Sequence, residues 1–272
     1  MDVKEYCREV YNRVYSEQIQ QNVGETAAQK EAIKAATIET MRHFPMESSA
    51  DIWKSVYEVH VHRKSGIDDG ETISKVISAD QSWKKSSGHA FEEMIKFLGT
   101  AALQGTGIEI ILQRDLNTLI KAREIANEPR DISWLKEQIK ASVFDLYMIV
   151  TKDDGRKFCF GCIQSKTSVR DRVTRDREPS LQAMDSYFWS TIIVLDGEFL
   201  RLPKFISMVN GGTTEHPTNG WHGMYVFSDQ YSCGRIYATD LDFRNFKDHA
   251  VQAANYWMTQ RQWFDRNWVV TE

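Results

Sequence analysis

Two apolar runs on either side of a tight turn constrain the fold of this 272-residue chain most strongly. The run VFDLYMIV at 143–150 is short, apolar and partly β-branched, which favours a buried strand. The turn sequence KDDG follows at 152–155, and KFCFGCIQSK at 157–166 is a second strand-like run. The three segments together predict an antiparallel β-hairpin.

Helical patterns surround this hairpin. Residues 27–44 place four side chains on one helical face, Ile33, Thr37, Met41 and Phe44, and the helix is expected to end before Pro45. Further helices are predicted over 51–64 with Asp51 as the cap, from 87, near 115–126 and 132–140, from 180, and over 242–260, with another strand over 191–196. Helices around a central mixed sheet make the expected fold class α/β, or α+β.

The polar segment GIDDGETISK at 66–75 is a plausible joint between two parts of the chain. We therefore expect an N-terminal helical subdomain over 1–80 and a second domain, containing the hairpin, over 81–272. The role of the helical subdomain stays open at this stage.

Composition restricts the class of protein. Hydrophobic residues make up 42% and charged residues 26% of the chain, which excludes collagen-like and disordered classes. No apolar run approaches the roughly 18 residues of a spanning helix, and four cysteines are too few for a disulfide framework. We expect a soluble, cytoplasmic protein without a membrane partner. Because the net charge is −4, any nucleic-acid surface must be local.

The predicted hairpin carries the sharpest chemical signal. Asp145 is an acid within an apolar strand, while Gln164 and Lys166 lie two apart on the partner strand and share a face. Burying an acid is costly unless it is hydrogen-bonded, paired or metal-bound. One interpretation is therefore a structural aspartate. The other is a phosphodiesterase centre, in which oxygen ligands hold Mg²⁺ against a phosphate and a lysine assists the attacking water.

A cluster of charges follows the lysine. Arg170, Asp171 and Arg172 stand close to Lys166 in an otherwise acidic protein. Arginine can bind guanine O6 and N7 bidentately, and aspartate can accept a hydrogen bond from cytosine N4, so the triplet could read G·C pairs. The alternative is a solvated helix surface with i,i+4 ion pairs.

These motifs occur together in one known family. The acid, hairpin and Gln164-x-Lys166 pattern resembles the PD-(D/E)XK nucleases, and Lys166-x-x-x-Arg170-Asp171-Arg172 resembles the recognition motif of CCGG-family type II restriction endonucleases. Segments at 51–53, 81–83 and 87–92, and the order of elements over 144–212, are also similar to members of this family.

The resemblance implies a role for each matching residue. Asp145 would be the central metal ligand, Glu92 a supporting acid and Lys166 the catalytic lysine, with Gln164 at the position of the motif's acid. The domain over 81–272 would be the nuclease domain, with its DNA-recognition segment at 166–180. Within that segment, the residues reading the CCGG core would be Arg170, Asp171 and Arg172. Two candidates for an additional downstream acid depart from the family's spacing: Asp176 and Glu178.

The implied activity is Mg²⁺-dependent hydrolysis of double-stranded DNA at a palindromic site with a CCGG core. Cleavage before the first C would leave 5′-CCGG overhangs, and W/CCGGW (W is A or T) is one form that such a site can take. A palindrome is read most simply by a homodimer or a larger assembly. A cognate methyltransferase would protect the same site in the host without forming a stable complex.

Two alternatives stay open. One is a DNA repair or structure-selective nuclease of the same fold, which would ignore CCGG. The other is a non-catalytic DNA-binding or protein-binding module, in which Asp145 and Lys166 form a buried ion pair.

Two cysteines have the CxxC spacing of a zinc site. Cys159 and Cys162 could be joined by Cys233, His216 and His222. Because positions three apart on a regular strand face opposite sides, we interpret Cys159 and Cys162 as core residues.

Overall fold

The computed structural model describes residues 2–67, 69–167, 173–195, 203–227 and 233–271. The chain forms two compact units, Met1–Lys84 and Lys85–Glu272. Within the described ranges, no helix is long and apolar enough to cross a membrane.

The first unit is helical. It contains α1 (Val3–Gln20), α2 (Glu25–His43), α3 (Ser49–Ser65) and the first part of α4 (Gly70–Ala102), within which the boundary between the units falls. The helices predicted over 27–44 and 51–64 are confirmed as α2 and α3. Ser48, whose side chain accepts a hydrogen bond from the backbone of Ala50, caps α3 in place of the expected Asp51.

The face that α2 buries differs from the predicted one. The buried residues of the helix are small and spaced by four: Ala28, Ala32, Ala36 and Thr40. The predicted face included Met41, which is 38% exposed. Ala32 and Ala36 pack against α1 and α3 residues such as Tyr11 and Val56, and small side chains allow helices to approach closely. The prediction was wrong because it ranked side chains by hydrophobicity alone.

The second unit is built on one six-stranded sheet. After α4 its elements are β1 (Ile108–Leu112), α5 (Gln113–Ala122), α6 (Pro129–Ala141), β2 (Leu146–Thr151), β3 (Lys157–Lys166), α7 (Val173–Asp185), β4 (Trp189–Val194), α8 (Pro203–Asn210), β5 (Gly223–Phe227), β6 (Ile236–Thr239) and α9 (Arg244–Gln260), followed by a short 3-10 turn, Arg261–Trp263. The strands lie in the order β1 to β6.

The sheet is mixed, as predicted. Strands β1, β2 and β3 pair antiparallel, and β3 to β6 pair parallel. The hairpin is confirmed, with Leu146 opposite Ile163 and Thr151 opposite Lys157. The mixed α/β class is therefore confirmed.

Alternate residues of the central strand face different helices. Ile163 of β3 belongs to a core cluster with Phe91 and Ile95 of α4. Cys162 belongs to a second cluster with Ala183 of α7. Because side chains alternate along a strand, Ser165 is on the α4 side of the sheet, whereas residues 164 and 166 are on the α7 side.

A β-bulge changes the expected orientation of the two cysteines. The register between β2 and β3 shifts at Met148 and Ile149, so that Gly161 and Cys159 are their partners and Phe160 is skipped. Cys159 and Cys162 consequently share one core cluster, contrary to the expectation that they face opposite sides. Both are fully buried, and burial raises the pKa of each thiol, so core packing remains the interpretation.

Candidate active site

Asp145 lies immediately before β2, one residue outside the strand in which it was expected. Its backbone N–H donates to the carbonyl of Ile163 at 3.1 Å, and its carbonyl accepts from the N–H of Gln113 at 3.2 Å. These bonds continue the sheet ladder on both sides and fix the backbone. Its carboxylate accepts two hydrogen bonds from Ser165, from the backbone N–H at 2.7 Å and from Oγ at 3.1 Å.

Glu92 faces the same cleft as Asp145. The cleft measures about 530 Å³ and is lined from α4, β1, α5 and the segment before β2 by His89, Glu92, Glu93, Leu112, Gln113, Arg114, Ser142 and Asp145. Burial raises the pKa of the Glu92 carboxyl, and the nearby charge of Asp145 raises it further. His89 opposes this shift, with Nδ1 lying 3.4 Å from Oε2 of Glu92. The sheet and α4 thus bring two carboxylates together.

The donor set of this cleft fits a hard divalent cation. Burial is the main cause of the raised pKa of Glu92, repulsion from Asp145 raises it further, and a bound cation would offset that repulsion. Within the described ranges, no group of three or more His, Cys, Asp or Glu residues could hold a metal. Mg²⁺ is commonly bound by one or two carboxylates, with water and substrate phosphate completing the shell, so Asp145 and Glu92 are the residues of this cleft that could hold such an ion.

Lys166 ends β3 on the α7 side of the sheet. Its ammonium nitrogen lies 3.4 Å from Oδ1 of Asp176, and both side chains are partly buried. Asp145 makes no ion pair within the described part of the chain. The buried Asp145–Lys166 pair, on which the non-catalytic alternative depended, is therefore not present in the structure.

Gln164 is held by protein groups at both ends of its amide. Its Nε2 donates to the backbone carbonyl of Asp176 at 3.0 Å, and its Oε1 accepts from the indole Nε1 of Trp221 at 2.8 Å. The side chain is 1% exposed and does not line the cleft that contains Asp145. Although Gln164 occupies the motif's acid position in the sequence, in the structure it anchors α7.

The three residues predicted to read the CCGG core lie outside the described residues: Arg170, Asp171 and Arg172. Helix α7 begins at Val173, earlier than the predicted start at 180. The two candidate downstream acids lie in this helix: Asp176 is beside Lys166, whereas Glu178 is exposed.

Arg177, which lies in the predicted recognition segment at 166–180, forms hydrogen bonds within the protein. Its guanidinium donates to the carbonyl of Thr218 at 2.6 Å and to that of Met208 at 3.3 Å. These bonds connect α7 to Met208 in α8 and to Thr218 in the glycine-rich loop that follows α8. Arg177 is thus engaged by backbone groups of the protein itself.

Sequence reasoning missed the contacts of Ser165 and His89. Alternation alone does not indicate Ser165, because it would place Asp145, the residue before Leu146, on the face opposite to Ile163 and Ser165. His89 lies one helical turn before Glu92, which is the spacing at which helical side chains meet.

Comparison with known proteins gives four findings. A family model described as BsaWI restriction endonuclease type 2 matches residues 126–263. A crystal structure of the pre-specific complex of restriction endonuclease BsaWI with DNA is similar over 100% of both chains, with a TM-score of 0.84 and 55% sequence identity. A structure of the specific AgeI–DNA complex shares 17% identity, covers 92% of this chain and 90% of its own, and has a TM-score of 0.43, too distant to support an inference. No curated protein sequence matches the chain.

The mixed α/β fold and these similarities define the class of protein: a type II restriction endonuclease, a site-specific deoxyribonuclease. The chain belongs to the BsaWI restriction endonuclease family, which the match over the whole chain at 55% identity establishes.

Proposed function

We propose that this enzyme uses Mg²⁺ to hydrolyse both strands of double-stranded DNA at a palindromic site with a CCGG core, cutting before the first C. The observation that carries the proposal is the cleft lined by both Asp145, immediately before β2, and Glu92 of α4. DNA as the ligand is supported by the similar BsaWI structure, which was solved as a complex with DNA.

Asp145 and Glu92 would hold the Mg²⁺ ion. When bound, the ion supplies positive charge that stabilises the charge developing on the scissile phosphate. The Asp145 carboxylate also accepts two hydrogen bonds from Ser165.

Lys166 would orient the attacking water and offset negative charge on the phosphate. It is suited to this role because it is a partly exposed cation at the end of β3, where the preceding residue contacts Asp145. Asp176 of α7 restrains this end of the strand. Its backbone carbonyl accepts a hydrogen bond from Gln164, and its carboxylate lies beside the lysine.

Arg170, Asp171 and Arg172 would read the CCGG core in the major groove. We propose a homodimer or larger assembly on DNA, because two-fold symmetry of the protein then matches that of the palindrome. The nuclease domain would occupy 81–272, and a methyltransferase acting on the same site would protect host DNA.

Substitution of Asp145 and of Lys166 tests the proposal. We expect Asp145→Asn and Lys166→Met each to lower the single-turnover cleavage rate at least about 100-fold while DNA binding is retained, because each removes charge from the reacting centre only. Asp153→Asn and Lys140→Met are matched controls outside the cleft. Full cleavage by Asp145→Asn or Lys166→Met would exclude the assigned role of that residue.

A further inference from the structure

Three consecutive residues at the end of β3 make different contacts. The side chain of Gln164 is bound by Trp221 and α7, and Lys166 lies beside Asp176 of α7. Ser165 alone of the three contacts Asp145. The alternation of the strand explains this division, since the middle residue faces the α4 side of the sheet.

Both hydrogen bonds from Ser165 reach the same carboxylate oxygen. Oδ2 of Asp145 accepts from the backbone N–H at 2.7 Å and from the hydroxyl at 3.1 Å. Within the described part of the chain, Oδ1 of Asp145 has no hydrogen-bond partner. Two donors on one oxygen restrict rotation of the carboxylate about its terminal bond, which a single donor would restrain less.

We propose that Ser165 is a positioning residue that fixes the Asp145 carboxylate so that Oδ1 is available to a divalent cation shared with Glu92. The inference depends on the proposed function, because it takes Asp145 as a metal ligand. The backbone N–H would be present with any residue except proline at this position, so the hydroxyl is what the serine itself contributes.

The hydroxyl can be removed with little other change. Ser165→Ala deletes Oγ and keeps the backbone bond, whereas Ser165→Thr restores a hydroxyl. Ser133→Ala is the matched control, because Ser133 is an exposed helix serine whose hydroxyl donates to the carbonyl of Pro129. Asp145→Asn separates failure of this inference from failure of the proposed function.

Metal binding is measured by titrating the intact protein with Tb³⁺, a luminescent probe of hard oxygen ligands, and by competing the bound Tb³⁺ with Mg²⁺. The Mg²⁺ concentration for half-maximal cleavage and the melting temperature are measured for the same variants. A merely structural role would lower the melting temperature without changing metal affinity.

We expect Ser165→Ala to weaken Tb³⁺ binding and raise the half-maximal Mg²⁺ concentration about three- to tenfold, the change expected for the net loss of one typical hydrogen bond. Ser165→Thr should recover most of the affinity, and Ser133→Ala should match the unmodified protein. Unchanged metal affinity in Ser165→Ala, with affinity lost in Asp145→Asn, would overturn the positioning role alone. Unchanged affinity and cleavage in Asp145→Asn would overturn the proposed metal site itself.

Discussion

The ammonium nitrogen of Lys166 lies 3.4 Å from Oδ1 of Asp176, in the first turn of α7. The backbone carbonyl of Asp176 also accepts a hydrogen bond from the side-chain amide of Gln164. Asp176 therefore restrains two residues of β3 at once, directly after the segment proposed to read DNA. This position suits a partner of the lysine better than an additional metal ligand.

Replacement of Asp176 distinguishes these two roles. We expect Asp176→Asn to lower the cleavage rate about tenfold, because Lys166 loses its restraint. This loss is smaller than the full rate contribution of a positioned proton-transfer group. The Mg²⁺ concentration for half-maximal cleavage should stay the same. A strong increase in that concentration would identify Asp176 as a metal ligand instead. Glu178→Asn, at the exposed candidate acid, is the comparison variant.

Restoring the acid of the general motif should harm this protein. In Gln164→Glu, a carboxylate oxygen would face the backbone carbonyl of Asp176, which now accepts from the amide. We expect the free energy of unfolding to fall by about 1–3 kcal/mol, the cost of leaving a buried polar group unsatisfied. Urea denaturation measures it.

Gln252→Glu provides the control, because this amide donates to the carbonyl of Thr271 at an exposed site. Its effect should stay within about 0.5 kcal/mol, as is usual for surface substitutions. A Gln164→Glu variant as stable as that control, with faster cleavage, would show that residue 164 faces the metal site.

Glu92 should make the metal-free protein less stable as pH rises. Burial and the charge of Asp145 raise the pKa of this carboxyl, so the folded state holds the proton more tightly than the unfolded state. Stability is therefore greatest below the usual pKa of glutamate and is lost as pH rises through the raised value.

The Glu92→Gln variant should accordingly be more stable than the unmodified protein near neutral pH in EDTA, and the gain should disappear in acid. Unfolding curves at pH 4 and pH 7 measure this, with the exposed Glu137→Gln as the control. An equal stability difference at both pH values would contradict the assignment of the shift to Glu92.

Only one of the four cysteines should react quickly with a thiol reagent. Cys233 is exposed, whereas Cys7, Cys159 and Cys162 are fully buried and burial raises the pKa of each of their thiols. We expect one equivalent of rapid reaction with Ellman's reagent in native protein and four in denaturant. Rapid reaction of two or more native thiols would mean that either the core around β3 or the helical core around Cys7 opens readily.

The hairpin could be predicted from sequence because its signals are local. Alternation, a turn sequence and chain proximity place Asp145 beside the end of β3 without knowledge of the remaining fold. Glu92 came from the family resemblance, because no local pattern links a residue of α4 to a strand more than fifty residues later.

Other features depend on long-range contacts that sequence patterns do not encode. The bulge opposite Met148 and Ile149 puts Cys159 and Cys162 on the same face of β3, whereas strict alternation predicts that they lie on opposite faces. The side-chain oxygen of Gln164 accepts a hydrogen bond from Trp221. Trp221 lies in a loop, whose position no periodic sequence pattern predicts. Short strands such as β1 (Ile108–Leu112) were missed because five apolar-rich residues beside helices give little periodic signal.

Digestion of a plasmid of known sequence tests Mg²⁺-dependent cleavage at CCGG. Purified protein is incubated with Mg²⁺ or with EDTA, and run-off sequencing maps both strands of every end. We expect discrete, Mg²⁺-dependent ends before the first C of CCGG, with the flanking bases, such as those of W/CCGGW, read from the same data. Metal-independent ends, or cleavage confined to branched or damaged DNA without regard to CCGG, would exclude this activity and favour a repair or structure-selective nuclease.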